Sequence, residues 1–199
     1  MRRASDSEPQ RSNRSDVARN RSSILEAARE GFAEGGRQVE IRQIAARARV
    51  GVGTLYRHFP SRDDLVRTLV DLASQEGRAL LEEAVREEDP SAAVRRMCRA
   101  VAQVYRRFGA IGEVAFGGHP HGYAPYAREG DRLVASDMVR SVMERGMREG
   151  AFRRDLDMDL AVMAAIRLCS REVFTALGPN RSFEEVADLV AEFMLAAMR

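Results

Sequence analysis

Apolar side chains recur at helical spacing along most of this chain, and nowhere do they alternate with polar ones as a strand requires. Regular pattern begins near Val17. Ile24, Leu25, Ala28 and Phe32 form one stripe, and the glycine pair at 35–36 ends it. Ile41, Ile44, Ala45 and Ala48 predict a short second helix, followed by the tight connection Arg49-Val50-Gly51. Leu55 and Phe59 lie four apart on a third short helix that Pro60 stops. Ser61 is a suitable cap for a fourth helix over 63–88, with Asp63 and Asp64 in its first turn. Asp89-Pro90 breaks the chain and opens a fifth helix bearing Val94, Met97, Cys98, Val101, Val104, Tyr105 and Phe108. Residues 116–130 have no helical period and read as the one long loop of this part. Helices are expected again at 131–149, 157–177 and 183–198. The fold class is therefore all-α, with about nine helices.

Residues 1–16, MRRASDSEPQRSNRSD, hold no apolar side chain larger than alanine except Met1. Such a segment cannot bury enough surface to offset its ordering entropy, and it reads as a disordered basic arm. All 32 basic residues are arginine, and they are placed unevenly: residues 1–62 carry 13 Arg against 7 acids, residues 63–199 carry 19 against 23. A basic first third on an acidic body suggests that the N-terminal part meets a polyanion. Two cysteines, Cys98 and Cys169, make neither a disulfide framework nor a close-spaced metal pair, and fit a reducing cytoplasm. No run of 18 apolar residues exists, so no membrane helix is expected, and the N-terminus lacks the apolar core of a secretory signal.

The stretch VGVGTLYRHF, 50–59, carries the most chemistry. Three short helices joined by tight turns make a minimal bundle whose second and third members form a helix-turn-helix. With Leu55 and Phe59 turned onto Ile24, Phe32, Ile41 and Ile44, the outer side of the third helix carries Val52, Gly53, Tyr56 and Arg57, with the ends of Thr54 and His58. Glycines let a backbone approach another surface closely, and a helix N-terminus suits a phosphate. Thr, Tyr, His and Arg all donate to phosphate oxygens, and Arg or Thr can also read base edges.

At these residues the chain resembles the TetR (tetracycline-repressor) family of bacterial transcription regulators, over about residues 17–67. The first helix reads ILEAAREGF, the second IRQIAARARV, the third GTLYRHF, and RDDL follows. The resemblance implies a DNA-binding domain over 17–62 and a ligand-binding and dimerisation domain over 63–199, joined by helix 63–88. Thr54, Tyr56 and His58 look like phosphate and sugar contacts; Val52, Gly53 and Arg57 look nearest to base edges; Arg42 and Arg62 complete the charged set. Two positions depart from the family pattern. Arg49 stands where glycine is usual, so either it adopts a conformation glycine takes more easily or the turn differs slightly, and it adds charge beside the DNA. Gly51 replaces a serine, which leaves the third helix an N-cap without a side chain.

The resemblance also implies double-stranded DNA with a palindromic operator as partner, and a second copy of the chain packed through the helices at 157–177 and 183–198. An unknown small-molecule effector would sit among Met97, Val101, Tyr105, Phe108, Met138, Val142 and Arg167, an adaptable apolar lining with one cation. If buried, Arg167 needs a partner such as Glu172 or a ligand carboxylate. His119 and His121 form a His-x-His pair in a Gly/Pro loop, but no acid or cysteine nearby completes a metal site, so neither metal nor cofactor is expected. An enzyme is the rival reading. It lacks a phosphate-binding glycine loop, a nucleophile elbow and paired metal ligands on a helix. A DNA-binding regulator without any effector is a third reading, separated from the first by whether the body holds a cavity.

Overall fold

The structure, a computed structural model, describes residues 8–35, 38–114, 116, 126 and 129–199. Among these residues there are ten α-helices and no strand: α1 (Glu8–Gly35), α2 (Ile41–Arg47), α3 (Val52–His58), α4 (Arg62–Val85), α5 (Pro90–Phe108), α6 (Ala110–Val114), α7 (Glu129–Glu149), α8 (Met158–Leu168), α9 (Arg171–Leu177) and α10 (Phe183–Met198). No helix among them is long and apolar enough to cross a membrane. The chain divides into two compact units, one ending at Arg67 and the other beginning at Thr68.

In the first unit α1, α2 and α3 pack on one another. Ile24, Phe32, Ile44, Leu55, Phe59 and Leu65 are fully or almost fully buried there. Two arginines cover the rings from outside: Arg21 lies 4.7 Å from the Phe59 centroid and Arg62 lies 5.2 Å from that of Phe32. Gly35 leaves the room that Val39 fills, since a Cβ on residue 35 would stand 2.6 Å from a Val39 methyl. Helix α1 starts at Glu8, nine residues before the expected start, which corrects the reading of 8–16 as disordered. Pro9 suits a first turn, the segment contains no glycine, and extending a formed helix costs far less than nucleating one.

The second unit is organised by α5, which packs against α10, α7 and α6, while α7 packs against α8 and α10 against α9. Asp89 caps α5, accepting from the amides of Ser91 and Ala92 at 3.1 and 3.0 Å. Ion pairs fix how α5 and α10 run. Arg95 meets Glu192 at 2.6 Å, Arg99 meets Asp188 at 2.7 Å and Arg106 meets Glu184 at 3.4 Å. One set of numbers rises as the other falls, so the helices are antiparallel. Each exposed pair contributes little alone, but the three agree on one register. Serine caps α10: Ser182 Oγ accepts from the Glu185 amide at 3.1 Å, and the Glu185 carboxylate accepts from the Ser182 amide at 2.7 Å. Gly150, at φ 77°, closes α7, and the Ala151 amide reaches back to the Gly146 carbonyl at 2.9 Å. On α7, Arg145 donates to the carbonyls of Val85 (3.0 Å) and Glu87 (2.6 Å), so its guanidinium finishes the last turn of α4.

Three further expectations are corrected. Helix α4 ends at Val85 rather than 88. After Gly109, at φ 55°, the chain makes the extra turn α6, whose Ile111 and Val114 are buried; five residues are too few to show a period. The single helix expected over 157–177 is two. Ser170 caps α9 from the Val173 amide, and the Tyr105 hydroxyl donates to the Cys169 carbonyl at 2.8 Å, so both sides of the break are satisfied.

Candidate DNA-binding face and an interior cavity

The turn between α2 and α3 is built on local hydrogen bonds. The Ala48 amide donates to Ile44, that of Arg49 to Ala46 and that of Val50 to Ala45, at 2.9–3.1 Å. This winding needs a left-handed residue just past α2. Arg49 supplies it at φ 56°, the one positive φ outside glycine among the described residues. A non-glycine residue held there costs of order 1–2 kcal/mol, a strain this turn carries in its backbone. Gly51 then caps α3 in extended conformation, its carbonyl accepting from the amides of Thr54 (2.9 Å) and Leu55 (3.0 Å).

Helix α3 is two-faced. Leu55 is wholly buried and Phe59, just past its end, almost so. Val52, Gly53, Tyr56 and Arg57 are exposed as one stripe, with Thr54 and His58 half-buried at its edges. An added Cβ at Gly53 would meet nothing within 4 Å. Internal packing therefore does not call for glycine there, although glycine weakens a helix by about 1 kcal/mol. Arg57 lies along its own helix, donating to Thr54 Oγ1 at 2.9 Å and to the Gly53 carbonyl at 3.4 Å. Arg42 and Arg49 are exposed. Arg62 differs from the rest. Its guanidinium is half-buried and donates to the Val39 carbonyl at 2.8 Å, so it ties the segment before α2 to the start of α4. Arg47, also on α2, is engaged by Glu34 at 2.8 Å, which raises its pKa further.

The second unit holds a cavity of about 470 Å³ that opens to solvent on one side. Its walls are Val94, Met97, Cys98, Val101 and Tyr105 from α5, Ala135, Val139, Val142 and Met143 from α7, and Val162, Met163, Ile166 and Arg167 from α8, with Cys169, Ser170 and Glu172 beyond. Of the seven residues named from sequence, Met97, Val101, Tyr105, Val142 and Arg167 are among these. Phe108 and Met138 are not. The α5 stripe leaves the cavity at Tyr105, a turn before Phe108, which is buried elsewhere beneath the Arg107 guanidinium. On α7 the wall is read at 135, 139, 142 and 143, which puts Met138 on the adjoining face, half-buried against the core. Arg167 is exposed rather than buried, so it needs no internal partner, and Glu172 is exposed as well.

Sequence reasoning missed the polar part of the wall. Arg140 and Asp159 pair at 2.5 Å, joining α7 to α8. Glu113 of α6 and Ser170 also face the space. Tyr105 stands edge-on to Phe116 and Phe174, and burial, then the neighbouring Cys169 and Glu113, push its phenol well above the ordinary tyrosine range. The sulfurs of Cys98 and Cys169 lie 3.8 Å apart. The seven-residue spacing of Cys98 and Tyr105 was the one available sign that both share a face; nothing local pointed to Cys169. His119 and His121 lie outside the described residues, and among those described no three His, Cys, Asp or Glu side chains are grouped to hold a metal.

Comparison with known proteins bears on both units. The profile described as "Bacterial regulatory proteins, tetR family" matches residues 24–69. The structure is similar to PfmR, a TetR family transcriptional regulator of Thermus thermophilus, at 25% identity and a TM-score of 0.67, over 87% of this chain and 97% of that one. It is also similar to KstR2, a ketosteroid transcriptional regulator of Mycobacterium tuberculosis, at 24% identity and 0.69, over 89% and 94%. A third similar fold is AibR, solved with isovaleryl coenzyme A and operator DNA, at 16% identity and 0.65, over 87% and 97%. No curated protein sequence matches the chain significantly.

Proposed function

Because the chain belongs to the TetR family of bacterial regulatory proteins, which are DNA-binding transcriptional regulators, we propose that it is a homodimeric cytoplasmic repressor released from its operator by a small molecule. Residues 17–62 read the DNA and residues 63–199 hold the effector and the partner copy. The observation that carries the DNA reading is the outer stripe of α3: an exposed Val52, Gly53, Tyr56 and Arg57 with open space over Gly53, which leaves the backbone there free for close approach by an external surface. Thr54, Tyr56 and His58 bond phosphate or sugar, Arg42 and Arg49 add charge beside the backbone, and Val52 meets an apolar base feature such as a thymine methyl. Arg62 adds positive potential from behind the helix while its hydrogen bond stays inside the domain.

The dimer reading rests on α8 and α10. Leu189, Phe193 and Ala197 follow one another at four-residue steps on α10, all exposed, with Phe193 at 62%. Leu160 and Met163 are exposed on α8 at 58% and 56%. Large apolar groups left in water at such spacing mark a surface that a second copy covers. Two-fold symmetry then matches a palindrome with half-sites about 34 Å apart or a little more.

The effector reading rests on the cavity. A cavity of this volume, with apolar side chains from α5, α7 and α8 on its walls and Arg140, Asp159 and Arg167 among its polar groups, suits an amphipathic molecule with an apolar body and a polar end. AibR with its acyl coenzyme A is a precedent of similar fold. Occupancy favours a dimer whose recognition helices are wrongly spaced, and operator affinity falls by the ratio of the ligand's affinities for the two states. The test is binding of the purified chain to DNA from around its own gene at two salt concentrations. A protected palindrome that survives competitor DNA supports the proposal; sequence-blind, salt-sensitive binding alone overturns it for that DNA.

A further inference from the structure

We propose that Cys98 and Cys169 are an oxidisable dithiol in the cavity wall, closed to an intramolecular disulfide by a hydroperoxide that enters the cavity. The two residues are 71 positions apart, yet their sulfurs stand 3.8 Å from one another, in contact and facing the same space. Cys98 comes from the middle of α5 and is buried; Cys169 sits at the break between α8 and α9 and is half-buried. The Tyr105 hydroxyl holds the Cys169 carbonyl at 2.8 Å, which fixes the backbone of one partner against the helix that carries the other. A sulfur–sulfur bond is about 2.05 Å long, so closure asks for a movement of under about 2 Å, within the range of side-chain rotation. The cavity, at about 470 Å³, has ample room for a molecule hardly larger than water.

The order of events follows from the two environments. Contact with Cys169 and burial hold the Cys98 thiol well above its usual range, so Cys98 keeps its proton at neutral pH. Cys169 is the more accessible sulfur and reacts first. Its thiolate attacks one peroxide oxygen; the oxygen–oxygen bond breaks, the other oxygen leaves as hydroxide or alkoxide and takes up a proton, and Cys169 becomes a sulfenic acid. The Cys98 sulfur then attacks Cys169 Sγ. The sulfur–oxygen bond breaks, hydroxide leaves, and it takes the Cys98 proton to become water. Two thiols are oxidised by two electrons and one peroxide is reduced to two molecules of water, or to water and an alcohol. The bond joins α5 to the α8–α9 junction and so links two walls of the cavity. This chemistry stands whether or not the chain represses transcription.

The experiment exposes the full-length reduced protein to hydrogen peroxide, quenches with excess iodoacetamide in denaturant, and measures intact mass without reductant. The expected product is lighter than the starting chain by two hydrogen atoms, carries no alkyl group, runs as a single chain on a non-reducing gel and takes two alkyl groups after dithiothreitol. Cys98→Ser is expected to stop at a sulfenic acid that dimedone traps at Cys169, and Cys169→Ser to keep an alkylatable Cys98. Should Cys98→Ser fold poorly, Cys98→Ala, which buries no hydroxyl, gives the same reading. Two thiols still alkylated after peroxide, a covalent dimer through Cys169, or oxygen addition without a disulfide in the wild-type chain would each overturn the proposal.

Discussion

The hydroxyl of Tyr105 donates to the carbonyl of Cys169 across 2.8 Å, joining the middle of the second unit to the break between α8 and α9. Removing it in Tyr105→Phe should cost about 1 kcal/mol at neutral pH, because the buried carbonyl loses its donor. The pH dependence has a definite sign. Burial disfavours the phenolate, so the folded pKa lies above the unfolded value of about 10. The stabilising contribution is complete below about pH 10 and is lost as pH rises toward the folded value. Denaturant melts at neutral and alkaline pH should therefore show wild type losing more stability on going alkaline than Tyr105→Phe. The Cys98 thiol, shifted in the same direction, leaves some slope in both.

Gly53→Ala separates folding from recognition. Nothing lies within 4 Å of the new methyl, so the chain should gain about 0.5–1 kcal/mol from better helix propensity. If the α3 backbone lies against DNA, the same methyl should weaken operator binding by roughly tenfold, about 1.4 kcal/mol. Stability and binding that rise together would remove Gly53 from the interface.

Arg49→Gly trades strain for charge. It relieves the left-handed turn, offset by the greater freedom of glycine in the unfolded chain, so stability should change by no more than about 1 kcal/mol, in the favourable direction. Operator affinity should fall at low salt, and the slope of log K against log salt should shrink by about one unit, read by titration at several salt concentrations.

Tyr56, exposed on the same stripe, is the cleanest test of a phosphate contact. Tyr56→Phe should weaken operator binding by about 1–2 kcal/mol and leave the melting curve unchanged. Unaltered affinity takes its hydroxyl off the contact surface.

Phe193→Asp puts a charge where the proposed partner copy packs. Light scattering on the eluting protein should give the mass of one chain instead of two, while circular dichroism stays helical, because Phe193 is exposed in the single chain. A dimer that survives this change moves the interface away from α10.

The first unit was legible because its determinants are local. The caps at Gly51 and Ser61, the stop at Pro60 and the paired Leu55 and Phe59 all act within a few residues, and one missing glycine narrowed Arg49 to a strained residue or an altered turn, of which the structure has the first. The start of α1 was not, because a polar segment reads as unstructured unless the helix that extends into it is considered. The second unit was legible as amphipathic stripes but not as a cavity. A stripe such as Val94, Met97, Val101 and Tyr105 looks the same whether it faces a partner helix or a space. The Arg140–Asp159 pair and the Cys98–Cys169 contact join segments 19 and 71 residues apart, and no periodicity encodes where two helices cross.

Arg145 gives α7 a grip on the end of α4. Its two hydrogen bonds to the carbonyls of Val85 and Glu87 are charge-assisted, and losing such bonds costs about 1.5–3 kcal/mol each. Val142 and Met143, a turn or less before it, face the cavity. The arrangement works as a clutch. Moving α7 away from the end of α4 would break both bonds, so the two are tied together where α7 lines the cavity. The C-terminal end of α4 is thereby made part of the structure that backs the α7 wall of the cavity.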